Sequence, residues 1–555
     1  TGRSNSRRSL FGRLLLEFVS YESTRTCTCI DTYTSCKSAV PYVMDFLDVR
    51  TVLLGVFLLL VLRWLLGRPK NLPPGPWGFP LLGSVPAMVW CMLRGLEFHH
   101  QFEKYAAKYG PIFRIKIFNK TVVVLNDYAL VKEAFQHPQL SNRPKSLFTE
   151  VLKLEGVAAS NGEAWLELRR FCLTVLRSFG VGKSSFEEQI GTEAEELMKE
   201  LAAFKGKPFN PKPFLGNAVS NVICSVIFGK RYKYDDKEFM HLLDLMSRNI
   251  KLVGGGGAIT FIPSLRYLPF LPIPELLSNF EELLNFARNV IDTHRKTFDA
   301  DNLKDFTDAY LMEIQQNLSR DKEGMLPNGK HLKASKFGHL GERNIVGTIL
   351  DLFAAGSETT ATTLQWAVLY MMVNPDVQKR VQAEIDDVVG RNRMPRMADI
   401  PELHFTRAVI WEIQRLANIV PLGVPHAAAS DIYLRGFFIP KDALLVPNMW
   451  TIFRDPKHWP EPEQFKPERF LNEKGVAVKP EELIPFSTGR RSCIGEHLAK
   501  MELFLFFSFF MHQFTFKKPQ NSPPLALKGK GGITHSPQPY DLCAISREDF
   551  GGFSA

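Results

Sequence analysis

The chain has 555 residues, 45% hydrophobic and 23% charged, with a formal net charge of +10. This is the composition of a globular protein with a large core, and its basic balance fits an anionic membrane face or an acidic protein partner. No zinc-finger, basic-zipper or RNA-recognition pattern accompanies the charge, so nucleic acid is excluded as the expected partner.

There is no internal repeat and no long low-complexity linker after residue 85, which predicts one large helical domain in spite of the length. The 8 cysteines fall as a cluster at Cys27, Cys29 and Cys36 and then singly at Cys91, Cys172, Cys224, Cys493 and Cys543. That is not a disulfide framework, and it places the main body in a reducing compartment.

Residues 1–43 are rich in Ser, Thr and Arg and have no clear period, whereas Met44-Asp45-Phe46-Leu47 makes a natural start. The expectation is that 1–43 is a spurious extension of the reading frame or a disordered tail. Residues 44–70 hold an apolar run from Thr51 to Leu66. About 15 helical residues span roughly 22 Å of the roughly 30 Å hydrocarbon core; starting the helix at Phe46 makes up the difference. Arg63 can snorkel and Trp64 suits an interface. No small-residue cleavage site follows, so an uncleaved membrane anchor is expected. From Met44, acidic residues precede it and Arg68 and Lys70 follow it, which puts the body in the cytosol, whereas Arg3, Arg7, Arg8 and Arg13 of the prefix would blur that orientation. Residues 71–84, with Leu72-Pro73-Pro74-Gly75-Pro76, read as a semi-rigid hinge.

Phe113 to Leu125 reads as two strands joined by a turn at Asn119-Lys120. Most of the chain beyond this hairpin is helical. Trp165 and Arg169 are four apart and share a helix face, so an indole N–H and a guanidinium stand side by side. Gly254 to Gly257 is a flexible run, and Phe261 to Pro272 is apolar, aromatic and broken by prolines: a buried loop or an exposed lid. Ile345 to Met372 is apolar nearly all round and predicts a central buried helix. Inside it lies a polar island, Gly356-Ser357-Glu358-Thr359-Thr360, whose hydroxyls can bond to the preceding turn and whose acid can move protons.

Pro375 to Val389 predicts an amphipathic helix. Glu412 and Arg415 lie three apart on the next helix, Val420 to His426 forms a proline-rich turn, and Arg469 follows a proline-rich bend. Leu503 to Met511 is too short to span a membrane and predicts a core helix.

Between the last two comes Phe486-Ser487-Thr488-Gly489-Arg490-Arg491-Ser492-Cys493-Ile494-Gly495. A helix pattern follows it, from Glu496 to about Phe514. A cysteine at a helix N-terminus gains thiolate character. Gly489 and Gly495 allow a tight turn and close approach to a flat partner. Arg491 suits a carboxylate. Thiolate, flat surface and carboxylate clamp together describe a haem iron site; for a lone cysteine, a structural role would be the default.

The pattern Phe-x-x-Gly-x-Arg-x-Cys-x-Gly resembles the haem-binding loop of the cytochrome P-450 superfamily. From about Met44 to Glu548 four further stretches resemble the family in its order, most of all the animal microsomal members that oxidise drugs, steroids and fatty acids. The resemblance implies a mainly α fold with a small β-rich subdomain, a catalytic domain over 85–548 and a short tail at 549–555, preceded by one transmembrane helix. It implies haem b with Cys493 as axial ligand, and Phe486, Gly489, Arg491 and Gly495 forming the loop beside it. Trp165, Arg169 and His426 would lie at the propionates. Glu358 and Thr359 would deliver protons to bound oxygen, and Glu412, Arg415 and Arg469 would form a structural network behind the haem. It also tips the Phe261–Pro272 segment towards a lid.

The implied reaction is insertion of one O2 oxygen into a lipophilic small molecule at the endoplasmic reticulum membrane. Electrons would come from NADPH through a separate cytochrome P-450 reductase, with cytochrome b5 a further candidate donor, because no flavin or nicotinamide domain is encoded. Two alternatives are a haem-thiolate isomerase or dehydratase and a non-catalytic lipid- or haem-binding membrane protein.

Overall fold

A computed structural model describes residues 49–66, 71–255, 272–323 and 339–547, in two compact units, Thr1–Arg68 and Pro69–Ala555. In the first, a helix forms over Val49–Leu66, with Leu53, Leu54, Phe57 and Leu59 exposed. Among the described residues no helix is long and apolar enough to cross a membrane. The ends of the expected anchor, 44–48 and 67–70, and the prefix 1–43 lie outside the described residues.

The second unit is mainly helical with small sheets. Its four-stranded sheet joins β1 (Ile112–Ile117), β2 (Lys120–Leu125), β3 (His426–Ala427) and β4 (Leu444–Pro447) in the order β1-β2-β4-β3. The β2–β4 pair is parallel and the other two are antiparallel. Ile117 faces Lys120 across the hairpin. The turn residues are therefore Phe118-Asn119 rather than the expected Asn119-Lys120, and Phe118 takes φ +51°.

The stretch expected to act as a hinge is docked on the edge of this sheet. Arg114 N–H donates to the Pro74 carbonyl at 2.7 Å and Ser84 N–H to the Lys116 carbonyl at 2.6 Å. A Cβ at Gly75 would collide with the Arg114 carbonyl. Prolines suit such an edge because they have no N–H to leave unpaired.

The expected central helix runs from Glu342 to Val373, 32 residues, and ends where Asn374 precedes Pro375; the residue before proline disfavours helix. It is buried on nearly every side, with Ile349, Phe353, Leu364 and Trp366 at or below 1% exposure. The Lys212–Phe228, Ile273–Thr297, His404–Ala417 and Glu496–Gln513 helices pack around it. At Gly356 a Cβ would lie 2.8 Å from Ile223 of the Lys212–Phe228 helix, so this glycine sets the approach of two helices. The Pro375–Val389 helix has the predicted bounds. The Leu503–Met511 segment is wholly buried inside the Glu496–Gln513 helix. The glycine run begins inside a helix, Lys237–Gly255. Of the lid segment, 261–271 lies outside the described residues. Among the described residues, Cys91, Cys172, Cys224, Cys493 and Cys543 are unpaired thiols; Cys27, Cys29 and Cys36 lie outside them.

Candidate active site

The cysteine loop is shaped by its own backbone. Ser487 N–H donates to the Ile484 carbonyl at 2.9 Å, and Cys493 N–H to the Phe486 carbonyl at 3.0 Å. Gly489 has φ +77°, and a Cβ there would run into the Phe135 carbonyl. Its glycine is thus demanded by the Tyr128–Gln136 helix beneath the loop rather than by a flat partner above it. Gly495 is different: the nearest atom to a Cβ there is Cys493 Sγ at 3.9 Å, and nothing else comes within 4 Å. Gly495 is also the N-cap of the Glu496–Gln513 helix.

Cys493 is exposed while the described cysteines of the helical core, Cys172 and Cys224, are buried. Burial nevertheless pushes its thiol pKa up, outweighing the Gly495 N–H and Arg169, which act to lower it. The sulfur therefore sits deep in the protein yet borders open space. The helix N-terminus alone does not make the thiolate expected from the sequence; a coordinated metal would, because its own charge would deprotonate the thiol.

Three arginines gather beside this sulfur. Arg491 is buried and its guanidinium lies 3.7 Å over the Trp165 ring. Its Nε donates to the Ser141 carbonyl at 2.8 Å, one terminal nitrogen to the Val157 carbonyl at 3.4 Å, and the other to the Ser160 carbonyl at 2.6 Å and Asn161 Oδ1 at 3.0 Å. Most of its N–H groups thus organise the 141–161 loop. Arg169 donates to Ser492 Oγ at 3.3 Å, and Arg143 to the Val424 and Pro425 carbonyls at 3.0 and 2.9 Å. Among the described residues, no carboxylate lies within ion-pair distance of any of the three.

Burial and the mutual repulsion of these cations lower the Arg491 pKa to about 8. Burial lowers Arg143 to about 10 and also lowers Arg169. His426 stacks on Phe135 with centroids 3.7 Å apart, and its Nδ1 lies 2.8 Å from the Leu140 carbonyl. Burial, with Arg143 and Arg491 adding to it, pushes its pKa down to about 3. Arg143 and Ser492 were not singled out from sequence, because the partners that place them are hundreds of residues away.

On the central helix, Thr359 Oγ1 donates to the Ala355 carbonyl at 2.7 Å, the bond to the preceding turn that the sequence predicts. Glu358 accepts from Thr362 at 3.4 Å and Thr534 at 3.5 Å. Burial raises its pKa, with Lys212 opposing. Thr360 donates to Glu502 at 2.9 Å, a fully buried carboxyl whose pKa burial lifts to about 8.

Glu412, Arg415 and Arg469 come together as a unit. Arg415 grips Glu412 through two bonds, 2.7 and 2.9 Å, and both side chains are 0% exposed. Arg469 Nε adds a third at 3.1 Å, and the Lys466 N–H a fourth at 2.8 Å. The remaining N–H groups of Arg415 hold the Phe453, Pro462 and Gln464 carbonyls.

A cavity of about 720 Å³ lies against the central helix, lined by Leu350 and Ala354 with Phe102, Phe148, Leu283 and Val446. Its size suits one small lipophilic molecule. A sulfur facing open space, a glycine with a clear side and three cations that make no ion pair with a carboxylate among the described residues, Asp351 acting on Arg143 only from further off, fit a flat, dianionic metal macrocycle.

A family model described as Cytochrome P450 matches residues 73–544. Cytochrome P450 2J2 of Homo sapiens is 40% identical over 503 residues, covering 89% of this chain and 96% of that protein. Cytochrome P450 2U1 of Rattus norvegicus is 38% identical over 516 residues, covering 89% and 95%. Cytochrome P450 18a1 of Drosophila melanogaster is 36% identical over 507 residues, covering 89% and 91%.

Proposed function

This chain belongs to the cytochrome P450 family, and from that premise we propose that it oxygenates a lipophilic small molecule in the 720 Å³ cavity, with Cys493 as the metal ligand. The family's enzymes are haem-dependent monooxygenases, and their cofactor is haem b with an axial cysteine thiolate. That cofactor supplies the O–O cleavage chemistry, which a thiolate ligand promotes.

The residues of this chain have four jobs in this reading. Cys493 offers its sulfur, kept in place by the Phe486 carbonyl and the Gly495 N–H. Arg143, Arg169 and Arg491 attract the propionates, with Trp165 packed beneath Arg491 and His426 beside them. Thr359 holds a hydroxyl on the open side of the central helix, and Glu358 passes protons in from the side of Lys212 and Thr534. Glu412, Arg415 and Arg469 fix the bend that leads into the cysteine loop.

The single observation that carries the reading is the exposed Cys493 in an otherwise dense interior. Its test is the difference spectrum of the reduced, carbon-monoxide-bound protein. A strongly red-shifted Soret band is the expected result; an unshifted band in folded protein removes Cys493 as the ligand.

Electrons are assigned to NADPH through a separate reductase docked on the basic face around Arg490, with cytochrome b5 as a second donor. Membrane attachment at the endoplasmic reticulum, body towards the cytosol, is supported by two features. One is the apolar Val49–Leu66 helix; the other is the exposed apolar set Trp77, Phe79, Leu81 and Leu93, at 62–82% exposure. Release of the protein from microsomes by alkaline carbonate would remove the anchor.

A further inference from the structure

We propose that Glu97, His99 and His100 form a binding site for a divalent transition-metal ion of the Zn2+ class at the lip of the cavity, distinct from the haem site. Each offers one ligand atom, and the three atoms lie within 4.8 Å of one another. His99 is only 4% exposed, and its Nε2 has no hydrogen-bond partner. Glu97 Oε2 is likewise buried without one. These two atoms are 3.2 Å apart. Tetrahedral ligands about 2.0–2.1 Å from one ion stand roughly 3.3 Å from each other, so the pair already has the spacing of two corners.

Leaving both atoms unmade costs free energy that a shared cation would recover. The site is also built: Glu97 accepts the Gly531 N–H, and the His99 ring is wedged between His100 and Trp450, with centroids 4.3 and 4.4 Å away. His100 is 41% exposed and stands 3.8 Å from Glu103; it would supply the third ligand and leave the fourth position to water.

A second cluster, His294 with Asp305 and Asp308, has comparable spacing but a different chemistry. His294 bonds both the Val290 carbonyl and Asp305 at 2.8 Å. Asp305 and Asp308 accept backbone N–H groups at 3.0 and 3.1 Å. Those ligand atoms are hydrogen-bonded within the chain, whereas Glu97 Oε2 and His99 Nε2 have no hydrogen-bond partner. The nearby cation, Arg454, is paired to Glu463 at 3.1 Å and stacked on Trp450. Glu103 adds a negative charge beside His100. Glu97 and His99 line the cavity, as do Gly531 and Gly532.

The test uses the untagged, full-length holoenzyme stripped with chelator and titrated with ZnCl2 by calorimetry, with zinc-edge X-ray absorption on the loaded protein. One Zn2+ per chain in a nitrogen and oxygen shell is expected. Loss of even an outer partner of a metal site costs ~10–100-fold in affinity, so Glu97→Gln and His100→Ala should each weaken binding at least that much, and His294→Ala should not. His100 is partly exposed, and an unchanged carbon-monoxide spectrum certifies that each variant is folded. Absence of saturable binding, a sulfur-dominated shell, or an affinity that either Glu97→Gln or His100→Ala leaves unchanged would overturn the proposal.

Discussion

Two arginine clusters flank the candidate site and are built on opposite terms. Around Glu412 the chain supplies everything: one carboxylate, two guanidinium groups and a ring of carbonyls, all within 3.3 Å of a partner. Around Cys493, among the described residues, it supplies three cations whose hydrogen bonds go to neutral acceptors, with Asp351 acting on Arg143 only from beyond ion-pair distance, and Arg491 is pushed down to about 8 by burial among like charges. The first cluster is complete in the chain alone and holds shape. The second, whose cations repel one another, suits the proposed role of receiving an anionic group. A buried arginine becomes a functional signal only when its counter-charge is missing.

The sharpest way to separate the two is to break one ligand in each. Cys493→Ala should abolish both the red-shifted carbon-monoxide band and substrate turnover, while circular dichroism and the urea midpoint stay close to those of the parent haem-free protein. Retained turnover would end the assignment. Glu412→Ala should do the reverse and act on the fold. It strands two buried cations, which costs about 3–5 kcal/mol, so little folded protein of any kind should accumulate. Glu412→Ala that folded normally but lost haem would erase the distinction between the clusters.

This distinction was only half legible in the sequence. Residues whose meaning is local could be read: the Cys493 loop, the three-residue spacing of Glu412 and Arg415, the apolar period of the Glu342–Val373 helix. Residues whose meaning is a long-range contact could not. Arg143 sits in an ordinary Asn-Arg-Pro stretch, and only the fold sets it against Arg169 and Arg491. Gly489 reads as room for a flat partner, yet it is demanded by the Phe135 carbonyl, and Gly356 by Ile223 of a neighbouring helix. Glu97 and Glu502 carried no motif at all.

Glu502 shows the same contrast inside one residue. It is an incomplete site: one hydrogen bond from Thr360, one oxygen without a partner and, among the described residues, no paired cation. Its folded pKa, raised to about 8, exceeds the usual unfolded value. Between the two the folded state holds a proton that the unfolded state has lost, so this residue's contribution to stability falls as pH rises from about 4.5 to about 8. Glu502→Gln keeps an acceptor for Thr360 and removes the titration. The variant should match the parent near pH 4.5 and exceed it by on the order of 1–3 kcal/mol near pH 8, read from urea midpoints. A pH-independent difference would mean that Glu502 finds a cation in solution.

Thr359 is the finest test, because its effect should bypass stability altogether. Its hydroxyl is bonded to the Ala355 carbonyl of its own helix at 2.7 Å, a bond that the helix does not need and that slightly weakens it. Thr359→Ala should therefore move the unfolding midpoint by no more than ~0.5 kcal/mol, as substitutions outside a packed or charged network do. Neighbouring Thr360 is committed to Glu502 and Thr362 to Glu358, so neither is free to take over. On the proposed role, losing the hydroxyl removes a proton donor from the open side of the helix. Hydrogen peroxide per NADPH consumed should rise and product per NADPH should fall, with the carbon-monoxide band intact. A stability loss without a change in that ratio would instead place Thr359 with Glu412, among the residues that only hold shape.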